Sequence, residues 1–178
     1  MEKILLHTCC APCSAAIIEW LLAHNIRPTL FYYNPNIYPA EEYRIRKTEC
    51  TRYARLKGID MVDGDYNHEN WLQSMLGLEN EPERGNRCLK CFRIRLGETA
   101  CLAHNYGFDR FATTLASSRW KSLAQIAEAG RWAASPFENI TFWDKNWRKD
   151  GLSERRLVLL KEHNFYNQRY CGCEFSIR

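Results

Sequence analysis

The stretch Lys3–Cys13, KILLHTCCAPC, decides the fold class, because it joins a short apolar run to two adjacent cysteines, Cys9 and Cys10. Lys3 to His7 predicts a buried strand, and Ser14 to His24 predicts a helix. The two thiols therefore lie on the turn between a first strand and a first helix. In an open α/β sheet, ligands bind at this edge, outside the carboxyl ends of the strands. We interpret the pair as metal ligands or redox groups.

Strands and helices alternate along the rest of the chain, which predicts a three-layer α/β/α sandwich with a mainly parallel sheet. The first turn, HTCCAPC, has no glycine, so cysteines occupy the position of a phosphate-binding loop. This argues against ATP or a dinucleotide as the cofactor. The remaining predicted strands are Thr29–Tyr33, Ile59–Val62 and Arg110–Leu115. The remaining predicted helices are Glu41–Lys57 capped by Gly58, Asn67–Leu76, Cys88–Asn105, Lys121–Ala129 capped by Gly130, and Ser153–His163 with Ser153 as N-cap.

Composition limits the class of protein. The 178 residues, 46% of them hydrophobic, suit one domain with a real core. No stretch approaches the roughly 20 apolar residues of a membrane span, and the apolar run before His7 is too short for a signal peptide. We therefore expect a cytoplasmic protein without a membrane partner. Nine cysteines in such a protein indicate metal or redox chemistry, not a disulfide scaffold.

Cys88 and Cys91 form a CxxC pair in RCLKCFR. We expect both thiols at one helix N-terminus, where the dipole favours anions and lowers the thiol pKa. Together with Cys9 and Cys10 they make the four thiols that hold a [4Fe-4S] cluster. A zinc site with four thiolates is the alternative. Adjacent cysteines wrap one small ion poorly, which favours the cluster or two metals side by side.

A third close pair, Cys171 and Cys173, lies in RYCGCEF near the C-terminus. Gly172 allows a tight turn, so the two sulfurs could form a labile disulfide that feeds electrons to the site. The alternative is that they bind a second metal. Three roles stay open for Cys13: a metal ligand, a thiol next to the ligands, or a buried residue without a role at the metal. Cys50 and Cys101 lie inside helices and are expected to be small buried hydrophobes.

The net charge of +4 is a mild basic bias, and its placement is more informative. Basic residues interleaved with aromatic residues suit a nucleic-acid surface, although solvated helix faces give the same pattern. The candidate segments are Arg44, Arg46, Lys47, Arg52 and Arg55 with Tyr43 and Tyr53; Arg84, Arg87, Lys90, Arg93 and Arg95; and Trp147, Arg148 and Lys149.

Five segments resemble the epoxyqueuosine reductases of the QueH type, in the expected order from the first strand to the C-terminus. They are HTCCAPC, YYNPNIYPAEEYRIR, RCLKCFRIRLGETA, FATTL and YNQRYCGCEFS. The resemblance implies a cobalamin-independent, iron–sulfur oxidoreductase that converts epoxyqueuosine to queuosine at the wobble position of tRNA, the last step of queuosine biosynthesis. It implies cluster ligation by Cys9, Cys10, Cys88 and Cys91, and places Cys171 and Cys173 on the family's C-terminal CGC pair, which we expect to be the redox-active pair.

The resemblance also implies a tRNA substrate with a GUN anticodon and an electron donor of unknown identity. We expect one iron–sulfur reductase domain over residues 1–178, similar to the ATP pyrophosphatase-like (HUP) fold, in which segment 150–178 returns the CGC pair to the active site. The surplus thiols leave room for a second, mononuclear iron. A zinc-stabilised tRNA-binding module and a tRNA sulfur-transfer enzyme stay open as alternatives.

Two positions depart from the family pattern. Asn146 stands where an acidic residue is expected, and Arg119 stands where proline is expected. Asp144 is the nearby carboxylate that could take the role of the missing one. The candidates for the proton donor are His7, Asp144 and a metal-bound water.

Overall fold

The sheet contains five strands: β1 (Glu2–His7), β2 (Ile26–Tyr32), β3 (Met61–Asp63), β4 (Arg110–Thr113) and β5 (Thr141–Phe142). In the computed structural model, which describes residues 1–177, they run parallel in the order β3-β2-β1-β4-β5. Arg178 lies outside the described residues. The predicted parallel α/β architecture is confirmed.

The helices lie on both sides of this sheet. They are α1 (Ala11–Ala23), α2 (Ala40–Lys57), α3 (His68–Ser74), α4 (Asn86–Asn105), α5 (Leu123–Ala134) and α6 (Leu152–Glu162). Helix α1 packs against α2 and α6, and α4 packs against α5. These two groups form the outer layers of the sandwich.

Strand β1 is the centre of the core. Ile4, Leu5 and Leu6 have no solvent exposure, since the strand is paired on both sides and covered on both faces. From β1 the chain builds outward through β2 and β3, then returns to place β4 on the other side of β1. This reversal of direction makes the carboxyl ends of β1 and β4 the place where an open α/β sheet binds ligands.

Most predicted elements are confirmed to within a few residues, and Gly58 ends α2 with φ 61° as predicted. Gly130 does not end a helix: it lies inside α5, where the Phe142 ring leaves no room for a Cβ. Ser153 is not an N-cap either, because Gly151 takes that position and the Ser153 hydroxyl donates to the carbonyl oxygen of Arg148.

Two differences concern the sheet. The fourth strand is shorter than predicted, because Thr114–Ser117 form a 3₁₀ turn directly after it. Strand β5 has only two residues and carries no alternating pattern, so the sequence did not predict it.

Candidate metal and redox centre

The turn after β1 brings the adjacent cysteines to the switch point of the sheet. The Sγ atom of Cys9 lies 3.8 Å from Oγ1 of Thr114, the residue that follows β4. Cys10 is the N-cap of α1, and its Sγ accepts the backbone N–H of Cys13 at 3.2 Å. The adjacent pair thus lies at the edge that the sequence predicted.

Cys9, Cys10 and Cys13 form a buried group whose Sγ atoms all lie within 4.8 Å of one another. Within residues 1–177 it is the one group of three or more His, Cys, Asp or Glu side chains with this spacing. A disulfide joins Cys10 to Cys13, and Cys9 Sγ lies 4.0 Å from Cys10 Sγ. Cys10 and Cys13 can therefore act as thiolate ligands only after this disulfide is reduced.

Gln168 contacts the same group from the C-terminal segment, and the sequence did not single it out. Its side chain is 8% exposed, and its Nε2 donates to Cys10 Sγ at 2.8 Å and to Cys13 Sγ at 3.5 Å. Its Oε1 is buried and has no hydrogen-bond partner among residues 1–177. The only sequence feature that could have indicated a role for Gln168 at this site is its position three residues before Cys171.

The CxxC and CGC pairs form a second group of thiols. Cys88 is the third residue of α4, and Cys91 lies one turn further, packed with Cys173 against Trp71. Cys88, Cys171 and Cys173 also line one small cavity. The C-terminal pair therefore reaches the CxxC pair, and all four of these cysteines are free thiols.

The helix N-terminus does not activate the CxxC thiols in the metal-free chain. Burial raises the pKa of Cys91 to about 12, against the opposing effect of Arg95, and like charges at the neighbouring cysteines add to the rise. Burial also raises the pKa of Cys88. The predicted lowering of pKa is wrong for this state, because desolvation outweighs the dipole. Metal binding at these thiols would therefore release protons.

Arg95 links the two groups of cysteines. Its side chain is 1% exposed, its Nη1 lies 4.0 Å from Cys91 Sγ, and its Nη2 donates to Oδ1 of Asn34 at 2.6 Å. Burial acts to lower the pKa of Arg95, but thiolate charge at Cys91, Cys9 and Cys171 raises it overall. In the described part of the chain no ion pair joins this guanidinium to a carboxylate.

The four predicted cluster ligands thus belong to two groups in the metal-free chain. Cys9 and Cys10 lie at the β1 turn, and Cys88 and Cys91 lie on α4. A cavity of about 750 Å³ joins the regions, since both Cys9 and Cys171 line it.

The backbone of the CGC pair is held by residues that follow β2. Arg46 donates from Nη1 to the carbonyl oxygen of Cys171 at 3.0 Å and from Nη2 to that of Tyr170 at 3.1 Å. The N–H of Tyr38 donates to the Gly172 carbonyl at 2.8 Å. Gly172 has φ +144°, and a Cβ there would lie 3.3 Å from the Arg46 Nη1, so glycine is required at this close approach.

The two remaining cysteines lie away from these groups. Cys50 is buried in α2, and burial raises its thiol pKa. Cys101 is half-buried in α4, where Asn105 Nδ2 donates to its Sγ at 3.6 Å. The prediction that both are buried is confirmed for Cys50, whereas Cys101 is only partly buried.

His7 is unsuited to be the proton donor. Its ring is fully buried, with Nδ1 at 2.9 Å from the Thr113 hydroxyl and Nε2 at 2.9 Å from the Tyr33 carbonyl oxygen. Burial, together with the positive charges of Arg95 and Lys121, lowers the pKa of His7 to about 3. The ring is therefore neutral and its N–H is already donated to a carbonyl.

This depressed pKa predicts a pH-dependent stability. The unfolded chain protonates His7 below about pH 6.5, whereas the folded chain does so only near pH 3. The stabilisation is complete above about pH 6.5, and each pH unit below it costs on the order of 1.4 kcal/mol. Urea unfolding of wild type and His7→Gln at about pH 7 and about pH 4.5 measures this; equal pH dependence of the two proteins would contradict it.

Asp144 is half-exposed and pairs with Arg131 on α5 at 3.2 Å. It does not line the cavity that holds Cys9 and Cys171. Its position gives no support to a carboxylate role at the centre.

The predicted basic segments do not form a continuous nucleic-acid surface. Three of their members are buried: Arg46 pairs with Glu42, while Arg87 and Arg95 lie inside the protein. Several exposed members are paired with carboxylates, as in Arg44–Glu41, Arg52–Glu49 and Lys47–Asp63. The aromatic members Tyr43, Tyr53 and Trp147 are buried, which removes them as stacking platforms.

Comparisons with known proteins identify the family of the chain. A family model described as "Epoxyqueuosine reductase QueH" matches residues 4–178. Proteins named "Epoxyqueuosine reductase QueH" from Haemophilus influenzae and Acinetobacter baylyi are each 47% identical over 177 residues. The alignments cover 99% of this chain, and 72% and 81% of the two relatives.

The fold has a distant relative among solved structures. A protein described as a predicted subunit of tRNA methyltransferase from Methanocaldococcus jannaschii superposes with a TM-score of 0.56 at 13% identity. The match covers 89% of this chain and 74% of that protein, and it supports the fold alone. Among the described residues no helix is long and apolar enough to cross a membrane. The chain belongs to the epoxyqueuosine reductase QueH family, which makes it an oxidoreductase of queuosine biosynthesis.

Proposed function

We propose that the chain removes the epoxide oxygen of epoxyqueuosine at the wobble position of tRNA, through an iron–sulfur centre and without cobalamin. The observation that carries this proposal is Arg95, a guanidinium buried between two groups of cysteines without a carboxylate partner in the described chain. A buried charge is costly unless an anion lies beside it. A thiolate-ligated cluster is such an anion.

Cys9, Cys10, Cys88 and Cys91 would hold the [4Fe-4S] cluster. Their all-sulfur donor set fits it, and Cys9, Cys10 and Cys91 are 5%, 0% and 7% exposed, which suits a centre that must exclude water. Reduction of the disulfide to Cys13 makes Cys10 available. When bound, the cluster would supply single-electron transfer and a Lewis-acidic iron.

A second, mononuclear iron would bind beside the cluster at the β1 turn. The Sγ of Cys13 lies within 4.8 Å of the sulfurs of Cys9 and Cys10, so an ion held by Cys13 would lie next to the cluster and could share a thiolate with it. The buried, unpartnered Oε1 of Gln168 belongs to the side chain that already contacts two of these sulfurs. This grouping supports a role for Cys13 at the metal.

The chemistry requires a balanced source of electrons and protons. Removal of the epoxide oxygen breaks two C–O bonds, forms a C=C bond, and consumes two electrons and two protons as the oxygen leaves as water. Oxidation of the Cys171 and Cys173 dithiol to a disulfide releases two electrons and two protons. The pair therefore balances one turnover, and an external reductant must then restore it. Arg46 and Tyr38 fix the backbone of the pair through its carbonyl groups.

We further propose a single reductase domain over residues 1–178, whose segment 150–178 returns the CGC pair to the centre. The contact of Gln168 with Cys10 supports this arrangement. The substrate would be tRNA with a GUN anticodon. The content of nine cysteines, seven of them free, supports a reducing cytoplasmic setting.

A nucleoside assay tests the proposed reaction. Protein purified and reconstituted anaerobically is incubated with epoxyqueuosine-containing tRNA and dithionite, and digested nucleosides are analysed by mass spectrometry. We expect epoxyqueuosine to be replaced by a nucleoside lighter by one oxygen atom. Reductant alone is the control. An unchanged nucleoside in the presence of a fully loaded centre would contradict the proposal.

A further inference from the structure

The cavity of about 750 Å³ has a positive lining of five arginines and Lys121. Arg46 is paired with Glu42. We call the other four arginines the arginine wall: Arg119, Arg148, Arg156 and Arg169. No aspartate or glutamate lines the cavity in the described chain. The wall comes from three segments that are distant in sequence, namely the loop before α5, helix α6 with the loop before it, and the C-terminal segment.

Several arginines on the outer faces of the protein are paired with carboxylates, whereas the wall arginines are not paired within residues 1–177. On the outer faces, Arg93 pairs with Glu128 at 2.6 Å and Arg155 pairs with Glu19 at 2.8 Å. Within residues 1–177 no ion pair joins any member of the wall to a carboxylate. The wall therefore carries positive charge that the described protein does not neutralise.

Two guanidinium groups hold the loop that carries Arg119. Arg148 donates to the carbonyl oxygens of Ser118 and Lys121, the latter at 2.6 Å. Arg84 donates to the carbonyl oxygen of Arg119 at 2.6 Å and to that of Trp120 at 3.3 Å. The loop is thus fixed by side-chain contacts on its backbone, so its position does not depend on a ligand.

This arrangement keeps like charges together. Burial lowers the pKa of Arg156; charge at Cys9 opposes this lowering, and the nearby charge of Arg119 adds to it. Burial likewise lowers the pKa of Arg148, with the charge of Arg84 adding. Mutual repulsion of this kind is relieved by a bound anion.

The position of the cavity indicates the type of anion. Cys9, Cys13 and Cys171 line the same space, so a molecule held by the wall lies against the thiols. Several cations close together suit successive phosphodiesters of a nucleic acid.

We infer that the arginine wall binds the phosphodiester backbone of the tRNA anticodon loop and thereby presents the wobble nucleotide to the cysteines. The inference rests on the proposed function for the identity of the RNA. It replaces the basic segment of α2 as the RNA surface, because that segment is largely paired or buried.

Helix α6 provides a matched pair for the test, since Arg155 and Arg156 are adjacent but only Arg156 lines the cavity. Binding of a fluorescein-labelled anticodon stem-loop RNA is measured by fluorescence anisotropy at several salt concentrations. The probe is unmodified, so no turnover occurs. We expect Arg156→Gln and Arg119→Gln each to weaken binding about 5-fold to 10-fold and to reduce the salt slope by about one. Arg155→Gln should bind like wild type.

The inference is overturned if wild type does not bind the stem-loop, if the wall variants bind with unchanged affinity and slope, or if Arg155→Gln weakens binding as much as Arg156→Gln. Thermal melting of each variant shows whether it is folded. Wall-dependent binding by a protein that does not deoxygenate epoxyqueuosine would contradict the proposed function and leave the inference standing. Turnover with an unchanged KM in Arg156→Gln would contradict the inference alone.

Discussion

Cys171→Ala is expected to abolish turnover while the bound iron stays unchanged. In the proposed reaction Cys171 and Cys173 supply two electrons and two protons. Because both thiols are needed to form the disulfide, loss of one removes this source of electrons and protons. The rate should fall on the order of 10³-fold or more, as it does when a residue that takes part directly in the chemistry is removed. Iron content, visible absorbance and nucleoside conversion are measured on the same preparation.

The matched control is Cys101→Ala, which removes a half-buried cysteine away from both thiol groups and should leave rate and iron unchanged. The structure makes the iron measurement decisive, because Cys171 and Cys173 lie with Cys88 and Cys91. Loss of iron in Cys171→Ala would make this cysteine a ligand. The cluster would then be held by the four thiols of the CxxC and CGC pairs.

Arg95→Met is expected to impair metal loading without destabilising the metal-free protein. The guanidinium lies 4.0 Å from Cys91 Sγ, a separation at which two unit charges interact by about 4 kcal/mol at an effective dielectric constant of 20. Arg95→Met removes this favourable interaction, so an anionic metal centre is bound less tightly. In the metal-free protein it removes a buried charge without a carboxylate partner in residues 1–177, but it also removes the hydrogen bond to Oδ1 of the buried Asn34. These effects oppose each other, so the free energy of unfolding should stay within about 1 kcal/mol of wild type.

Iron per chain after reconstitution and urea unfolding of the metal-free protein together test this prediction. Arg95→Lys keeps the charge and should recover part of the iron. Arg131→Met removes an exposed arginine paired with Asp144 and should change neither measurement appreciably. Full iron loading in Arg95→Met, or unfolding of its metal-free form at much lower urea, would show that Arg95 has a structural role only.

The sequence predicted the parts of the fold that depend on local pattern. The apolar run before the adjacent cysteines identified β1, and Gly58 marked the end of α2. Gly130 was misassigned because its role depends on Phe142, a residue of β5 that packs against α5. A local pattern cannot distinguish a glycine that ends a helix from one that makes room for a neighbouring ring.

In the candidate centre, too, the local motifs could be predicted from the sequence, whereas the contacts between distant segments could not. The three cysteine pairs are visible as motifs, but their grouping depends on how the C-terminal segment crosses the molecule. Gln168 contacts Cys10 across 158 residues of sequence. Arg95 lies four residues after Cys91, one helical turn away, yet its burial follows from the packing of α4 against the sheet. Charge counts alone assigned Arg95 to an RNA surface from which it is excluded.

The central claim is that these cysteines hold an iron–sulfur cluster. Anaerobic purification followed by iron, zinc and acid-labile sulfide analysis, with the visible spectrum of the same sample, tests it most directly. We predict acid-labile sulfide with iron in a ratio of about five irons to four sulfides, since the mononuclear iron adds one atom to the four of the cluster. The protein should be brown, and its absorbance should disappear in Cys9→Ala and Cys91→Ala. A colourless protein that binds one zinc ion and contains no sulfide would contradict the account.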